Sequence, residues 1–170
     1  MNLIIGASPI SGRGVFAGED IRRGEVIHRM GGRRVSFIRC IADVMTGRTR
    51  IDDPLCIGKY AYLLLDDFSV LFNHSCQANA ALAREVDLVA LADIPRGREI
   101  TYDYSMTVRR TLYTAGWKMP CSCRAPPCRK AIGDVRSVPW QHLQRYVSAG
   151  ALQDFILDSL NIDRSSVNRP

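Results

Sequence analysis

The sequence predicts a mainly β domain of the α+β class, with short strands in several small sheets and few helices. Through the first hundred residues, short apolar runs alternate with Gly and Pro breakers, a pattern typical of short strands. After a compact cysteine cluster, the pattern changes to an amphipathic helical tail. A chain of 170 residues has the size of one globular domain and can bury a substantial core.

Six strands and one helix are predicted before the cysteine cluster. The strands cover residues 3–7, 14–17, 25–30, 60–65, 87–92 and 99–104. Ser36 can cap the start of the helix and Gly47 can end it. One face of this helix is apolar and consists of Phe37, Ile38, Ile41, Val44 and Met45.

The tail after the cysteine cluster carries an apolar stripe at helical spacing. Pro139 occupies a plausible first helical turn. The stripe comprises Trp140, Leu143 and Val147, and after Gly150 it continues with Leu152, Phe155, Ile156 and Leu160. Most such stripes complete a core, so we expect the tail to pack on the same domain, with self-association as the alternative. Residues 165–170 are expected to form a frayed end.

Three cysteines in the segment Cys121-Ser122-Cys123-Arg124-Ala125-Pro126-Pro127-Cys128 predict a metal site. Three thiolates at this spacing can cover one face of a tetrahedron around zinc, and the fourth ligand must come from a distant residue. The candidates are Cys40, Cys56, Cys76, His28, His74 and His142. Cys76 is favoured because it lies in a polar loop, residues 71–79, between apolar stretches, as functional loops often do. Cys40 and Cys56 are expected to be small core residues.

The charge and the cysteine content indicate which partners and which cellular environment suit the protein. The formal net charge of +6 favours acidic partners or nucleic-acid-bound substrates, or serves solubility alone. No apolar run approaches the roughly 18 residues of a membrane span, and the start lacks the basic region of a secretory signal. We therefore expect a soluble, intracellular protein with reduced thiols, no membrane partner and an oligomeric state that the sequence leaves open. Disulfides are disfavoured because Cys121 and Cys123 are too close to bridge separately.

Four motifs occur in order over about residues 10–133. They are Gly12-Arg13-Gly14-Val15-Phe16-Ala17, then Asn73-His74-Ser75-Cys76 followed by Asn79, then Glu99-Ile100-Thr101-Tyr102-Asp103-Tyr104, and finally the cysteine cluster. Each motif alone is weak, but their order resembles that of the SET-domain protein-lysine methyltransferases with a post-SET zinc tail.

The resemblance implies a fold, a reaction and a division of the chain. It implies a SET fold of small sheets around a knot-like site, with a SET domain over residues 1–115, a post-SET zinc-binding segment over 116–133 and a C-terminal helical tail over 134–170. The implied reaction is methyl transfer from S-adenosylmethionine to the side-chain amine of a protein lysine. The implied partner is a protein presenting that lysine, among them basic or nucleic-acid-associated proteins.

The resemblance also assigns roles to individual residues. S-adenosylmethionine would contact Arg13, Gly14, Asn73, His74 and Tyr104, and one structural Zn²⁺ would be held by Cys76, Cys121, Cys123 and Cys128. The lysine channel would be lined by Tyr62, with Tyr60 as a weaker candidate, by Tyr102 at a position that implies monomethylation, and by Trp117. For each of these aromatic residues, ordinary core packing is the alternative.

Tyr104 is implied to be the catalytic residue, and simple energetics limit its role. Neutralising lysine near pH 7 costs about 4 to 5 kcal/mol, because its pKa is about 10.4. A tyrosine with a pKa of about 10 is no better a base. We therefore expect Tyr104 to orient the methyl group and the amine, while burial and the positive sulfonium of the donor lower the pKa of the lysine.

Three departures from the family pattern are visible. Ala78 replaces the usual proline, Met30-Gly31-Gly32 replaces an aromatic-Gly pair, and the segment from Tyr62 to Asn73 is short, which implies a more open substrate groove.

The sequence leaves two other functions open. The first alternative is a non-catalytic, zinc-stapled SET-like module that binds acidic or nucleic-acid partners. The second is methyl transfer to a small-molecule amine.

Overall fold

The computed structural model describes residues 1–51, 53–111 and 114–163. Over these ranges the chain forms ten short strands and three helices. The strands are β1 (Leu3–Ala7), β2 (Arg13–Ala17), β3 (Val26–Arg29), β4 (Gly32–Ser36), β5 (Pro54–Cys56), β6 (Ala61–Leu65), β7 (Ala80–Ala83), β8 (Asp87–Ala90), β9 (Met119–Pro120) and β10 (Ala131–Ile132). The helices are α1 (Phe37–Met45), α2 (Trp140–Ser148) and α3 (Asp154–Leu160), and short 3₁₀ turns cover Ser69–Leu71, Tyr104–Thr107 and Val135–Ser137.

The strands pair in four small antiparallel sheets, which confirms the predicted fold class. Strand β1 pairs with β2 and β9 with β10, while β4, β6 and β5 form one three-stranded sheet and β3, β8 and β7 form another. Leu3 lies opposite Ala17 in the first sheet, and Gly32 lies opposite Leu65 in the sheet of β4 and β6. The described part of the chain contains no helix long and apolar enough to cross a membrane.

The sheet of β3, β8 and β7 separates two hydrophobic cores. Ala80 and Leu82 of β7 belong to the first core, whereas Ala81 and Ala83 belong to the second, because alternate residues of a strand point to opposite faces. The first core collects strand residues from the N-terminal two-thirds of the chain. The second core is filled by the tail, including Leu143, Tyr146, Leu152, Ile156 and Leu157. Residues of the tail therefore pack against β7 and β8 in this second core.

Helix α1 begins and ends where the sequence predicts, and its apolar face lies largely at the surface. The Ser36 side chain accepts a hydrogen bond from the Arg39 backbone N–H at 3.3 Å, and Gly47 has a φ of 69° just beyond the helix. The apolar face is not packed into a core, since Ile38 and Met45 are 80% and 82% exposed.

The inward face of α1 carries a carboxylate instead. Asp43 is fully buried and accepts hydrogen bonds from Arg33 of β4 at 2.8 Å, from Arg39 at 3.0 Å and from Arg48 at 3.4 Å. Hydrogen bonds from Arg33 and Arg39 lower the pKa of Asp43 to about 2, although its burial acts in the opposite direction. These ion pairs fix α1 against its sheet and leave the apolar stripe at the surface.

Residues 99–104 were predicted as a strand, and the structure corrects this. They form only isolated bridges, from Glu99 to Phe16 and from Tyr102 to both His74 and Ala80, before the 3₁₀ turn that starts at Tyr104. The Asn79 side chain takes the place that a neighbouring strand would have. Its amide nitrogen donates to the Glu99 carbonyl at 2.8 Å, and its amide oxygen accepts from the Thr101 N–H at 2.9 Å. Tyr102 thus sits between two chain segments in the knot-like arrangement.

Five strands were not predicted, namely β4, β5, β7, β9 and β10. The frayed end expected at residues 165–170 lies outside the described part of the chain. Strand β7 has the sequence Ala-Ala-Leu-Ala, and alanine is depleted in strands, so its local sequence gives no strand signal. Strand β4 contains two arginines and forms because β6 offers it a paired edge. In both cases tertiary contacts override local preference.

Candidate active site and sulfur cluster

Asn73 connects three separate parts of the chain at the centre of the site. Its side-chain amide nitrogen donates to the Arg13 carbonyl at 3.0 Å, to the Ser11 carbonyl at 3.3 Å and to Glu99 Oε1 at 2.8 Å. Ser8 donates its hydroxyl to the same Glu99 oxygen at 2.8 Å. The first glycine motif (residues 12–17), the Asn-His loop (residues 71–79) and the tyrosine motif (residues 99–104) therefore meet at a buried amide.

Gly14 is required where these parts meet because no side chain fits there. A Cβ atom at position 14 would lie 3.0 Å from the Asn73 amide nitrogen and would also collide with the Glu99 carboxylate. Both are hydrogen-bonded to each other, so neither can move without losing its partner. The glycine is explained by close approach and not by an unusual backbone angle.

We expect Gly14→Ala to destabilise the protein by about 1–3 kcal/mol, the usual cost of overpacking. The measurement is chemical denaturation, with Gly58→Ala as the matched control, because a Cβ atom at position 58 would meet only Ala61 at an ordinary 3.5 Å. Equal stability of the two variants would show that the Asn73–Glu99 contact does not constrain position 14.

His74 is buried and is held by both ring nitrogens. The Tyr104 backbone N–H donates to Nδ1 at 3.2 Å, which assigns the ring proton to Nε2, 3.4 Å from the Cys76 sulfur. Burial lowers the pKa of His74 to about 4, against the opposing effect of Asp103, whose carboxylate lies 3.5 Å from Nδ1. The imidazole is therefore neutral at pH 7 and has no nitrogen available to act as a general base.

Tyr104 lies at the end of the tyrosine motif and faces the Asn-His loop. Its hydroxyl donates to the Phe72 carbonyl at 2.8 Å, and its ring centroid lies 4.7 Å from that of Tyr102 and 5.3 Å from that of His74. Burial, followed by the neighbouring Tyr104, raises the pKa of Tyr102 well above its usual value. Tyr104 is thus held in a fixed position, and Tyr102 beside it stays uncharged at pH 7.

One cavity of about 950 Å³ joins most of the predicted functional residues. Its lining includes Asn73, His74, Tyr60, Tyr62, Tyr102, Tyr104 and Trp117. Tyr62 packs against Phe37 with 6.0 Å between ring centroids, whereas Tyr60 is 64% exposed beside Lys59. Arg13 and Gly14 do not line this cavity, but the Arg13 carbonyl is held by Asn73 at its edge.

The four predicted cysteine ligands form a sulfur cluster next to His74. The Cys121 sulfur lies 3.7 Å from the sulfurs of both Cys76 and Cys128, and the Cys123 sulfur accepts the Cys76 backbone N–H at 3.5 Å. Zinc–sulfur bonds of about 2.3 Å in a tetrahedron place sulfurs about 3.8 Å apart. The two distances from the Cys121 sulfur therefore fit a divalent metal. Of the other candidate ligands, His28 instead contacts Ser69 at 3.1 Å.

Backbone N–H groups point at sulfurs of the cluster. The backbone N–H groups of Arg129 and Lys130 each lie 3.4 Å from a sulfur, those of Cys76 and Cys128 respectively. Burial raises the pKa of Cys76 and of Cys121, whereas for Cys123 backbone N–H groups outweigh burial and lower the pKa to about 7. His74 and the sulfurs of Cys76, Cys121 and Cys123 also lie within 4.8 Å of one another. Because His74 Nε2 carries the proton that points to the Cys76 sulfur, the ring can support the cluster by a hydrogen bond.

An ion pair between Arg129 and Asp103 was not anticipated from the sequence. Arg129 follows Cys128 directly, and its guanidinium donates to the Asp103 carboxylate at 2.7 Å and to the Ser105 hydroxyl at 3.3 Å. The side chain of Asp103 is 1% exposed and that of Arg129 is 12% exposed. Because Asp103 and Ser105 flank Tyr104, this pair connects the cysteine segment to the tyrosine motif. Asp103 lies within the motif of residues 99–104 and Arg129 directly after the cysteine cluster, but neither position marks the two residues as partners.

We expect Arg129→Gln to destabilise the protein by about 3–5 kcal/mol, because it leaves the Asp103 carboxylate buried without its cation. Arg34→Gln is the matched control, since both side chains of the Arg34–Glu85 pair are about half exposed, so that removal of the cation leaves no buried charge unpaired. Thermal unfolding of both variants measures the difference. A loss at Arg129 as small as the loss at Arg34 would contradict the assignment of a buried, structural ion pair.

The chain is similar in sequence to a known family and to several curated proteins. A model of the SET domain family matches residues 12–105, which is more than half of the chain. Human histone-lysine N-methyltransferase 2B is 32% identical over 144 residues, covering 74% of this chain and 5% of that protein. The trithorax histone-lysine N-methyltransferase of Drosophila virilis is 30% identical over 143 residues, covering 74% of this chain and 3% of that protein.

A plant protein gives a longer match. Histone-lysine N-methyltransferase TRX1 of Oryza sativa subsp. japonica is 30% identical over 157 residues, covering 79% of this chain and 14% of that protein. The chain thus spans only a small fraction of the length of each of these relatives.

Proposed function

The chain belongs to the SET domain family, and from this premise we propose that it transfers a methyl group from S-adenosylmethionine to the side-chain amine of a protein lysine. The observation that carries the proposal is the contact between the tyrosine motif and the Asn-His loop. The Tyr104 N–H binds His74, and the Tyr104 hydroxyl binds the Phe72 carbonyl, at the wall of a cavity large enough for two reactants. The relatives named as histone-lysine methyltransferases support the reaction class.

The methyl donor is assigned to the side of the cavity formed by Asn73, His74 and Tyr104, with the backbone of Arg13 and Gly14 at its edge. S-adenosylmethionine supplies an electrophilic methyl group on a positively charged sulfur. The Asn73 side chain fixes the carbonyls of Ser11 and Arg13 at that edge, and Gly14 keeps the approach free of a Cβ atom. Because both ring nitrogens of His74 are engaged, the backbone around it is the more suitable contact.

Tyr104 is proposed to orient the acceptor amine without removing its proton. Its hydroxyl hydrogen is donated to the Phe72 carbonyl, and a phenol oxygen is also a hydrogen-bond acceptor. An acceptor at this point aligns the amine for in-line attack, and such alignment contributes strongly to rate.

The lysine amine is proposed to reach the site neutral because of its surroundings. Tyr62 and Tyr102 line the approach, and burial raises the pKa of each phenol, so both remain uncharged. His74 is also neutral, since burial lowers its pKa to about 4. Burial of a lysine among uncharged groups lowers its pKa. Trp117, on the cavity wall just before β9, is proposed to close this channel.

The sulfur cluster is proposed to hold one Zn²⁺ through Cys76, Cys121, Cys123 and Cys128. Four sulfur ligands leave no position for a catalytic water, so the metal would be structural. The cluster joins the loop that carries His74 to the segment that carries Trp117, β9 and Arg129. In this account residues 1–115 form the SET domain, 116–133 the zinc-binding segment, and 134–170 the supporting tail.

Calorimetry with S-adenosylmethionine, followed by transfer of a labelled methyl group to a pool of proteins, tests the proposal. We expect one donor molecule bound per chain and the label on lysine. An absence of donor binding would favour a non-catalytic binding module, whereas donor binding without labelled protein would favour a small-molecule acceptor.

A further inference from the structure

The outer part of the cavity has an apolar wall that continues onto exposed surface. Ile41, Val44 and Met45 of α1 form part of this wall, and Ile51 and Tyr60 extend it. Ile51 and Tyr60 are each 64% exposed, and Met45 is 82% exposed. Large exposed apolar residues that are contiguous with a cavity mark a surface that another molecule covers.

The rim of the same cavity is basic. Among the described residues that line it, four carry positive charge, namely Arg50, Lys59, Arg109 and Arg110. The described lining contains one acidic residue, Asp53, and its carboxylate lies 3.9 Å from Arg50. The local charge of the described rim is therefore positive even before the charge of a bound donor is considered.

Two of the basic side chains are held at the opening. Arg109 donates to the Lys59 carbonyl at 3.3 Å, which joins the segment after Tyr104 to the loop before β6. The Lys59 ammonium lies 5.3 Å from the centre of the Tyr60 ring, and Arg110 is exposed. Charges fixed at the mouth of a low-dielectric cavity act strongly on an incoming chain.

We propose that this groove binds a segment of a protein substrate in which apolar residues and at least one carboxylate flank the target lysine. The proposal rests on the proposed function and specifies its substrate class. A strongly basic segment around the lysine would face four cations of the rim, and juxtaposed like charges oppose binding. The net charge of the whole protein does not decide this preference, because the charges that matter are those at the groove.

The test measures binding separately from methyl transfer. Three fluorescent peptides share a central lysine and flanking leucine and valine residues, and differ only in carrying glutamate, glutamine or arginine beside them. Anisotropy is measured with the demethylated donor product, S-adenosylhomocysteine, at saturation, and transfer is then measured with labelled S-adenosylmethionine. We expect the acidic peptide to bind about tenfold more tightly than the basic one at low salt, and the difference to shrink as salt screens the charges.

A charge-reversal variant assigns the preference to the rim. Lys59→Glu with Arg110→Glu should invert the order of the acidic and basic peptides. Arg22→Glu with Arg23→Glu changes the net charge equally at two exposed residues outside the cavity lining, and it should keep the wild-type order.

Each remaining outcome separates this inference from the function on which it rests. Acid-selective binding that inverts in the rim variant, but without methyl transfer, would support the groove and contradict the proposed reaction. Methyl transfer together with equal or tighter binding of the basic peptide would support the proposed reaction and contradict the inferred substrate preference of the groove. Failure of all three peptides to bind, or a preference unchanged by the rim variant, would overturn the inference.

Discussion

Tyr104→Phe is expected to lower kcat by about 100-fold or more, while the affinity for S-adenosylmethionine changes little. Loss of alignment between reacting atoms costs on the order of 100-fold in rate. The variant removes only the hydroxyl that bonds to the Phe72 carbonyl, whereas the ring contacts with Tyr102 and His74 can persist. Calorimetry measures donor binding, and single-turnover methyl transfer measures the chemical step.

Tyr60→Phe is the matched control for Tyr104→Phe. Tyr60 lines the same cavity, but it is 64% exposed at the outer end, so loss of its hydroxyl is expected to leave kcat within about a few-fold of wild type. Full turnover in Tyr104→Phe would refute the orienting role of this residue. A large loss of donor affinity in that variant would instead make Tyr104 chiefly a binding residue.

Cys123→Ser is expected to abolish metal binding and, with it, methyl transfer. Wild-type protein should contain about one zinc ion per chain, because the Cys121 sulfur lies 3.7 Å from the sulfurs of both Cys76 and Cys128, close to the sulfur spacing of a tetrahedral site. Serine is a poor zinc ligand, and a lost ligand removes stabilisation that the folded segment receives from the metal. The segment that carries Trp117 and Arg129 would then lose its attachment to the His74 loop.

Elemental analysis and activity are measured together for Cys123→Ser. Cys40→Ser is the control for metal content, because Cys40 lies in α1 outside the cluster and should leave the zinc stoichiometry unchanged. A metal-free protein with wild-type activity would contradict the proposed role of the cluster. Retention of zinc in Cys123→Ser would show that this cysteine is not a necessary ligand.

The parts of the molecule that could be predicted depend on short-range patterns. The limits of α1 follow from a cap at Ser36 and a glycine at position 47, and β1 follows from an unbroken apolar run. The tail could be assigned to the domain because its stripe needs an apolar face to cover. The sulfur cluster was predictable because few structures require three closely spaced cysteines.

Other features depended on which distant residues become neighbours. The outward apolar face of α1 results from the burial of Asp43 against Arg33, a contact that amphipathic periodicity does not reveal. The irregular backbone of residues 99–104 results from the Asn79 side chain, which bonds where another strand would pair. The Arg129–Asp103 pair joins residues 26 positions apart, and neither carries a local signal.

The sequence by itself determined the family, the class of fold and the residue types that can carry the chemistry, because motif order and spacing are properties of the chain. Only the tertiary structure decided that Tyr104 bonds to the Phe72 carbonyl, that His74 is neutral, and that a basic rim surrounds an apolar groove. The physical reason is that hydrogen bonding, desolvation and local charge depend on distances between atoms that the chain brings together only when it folds.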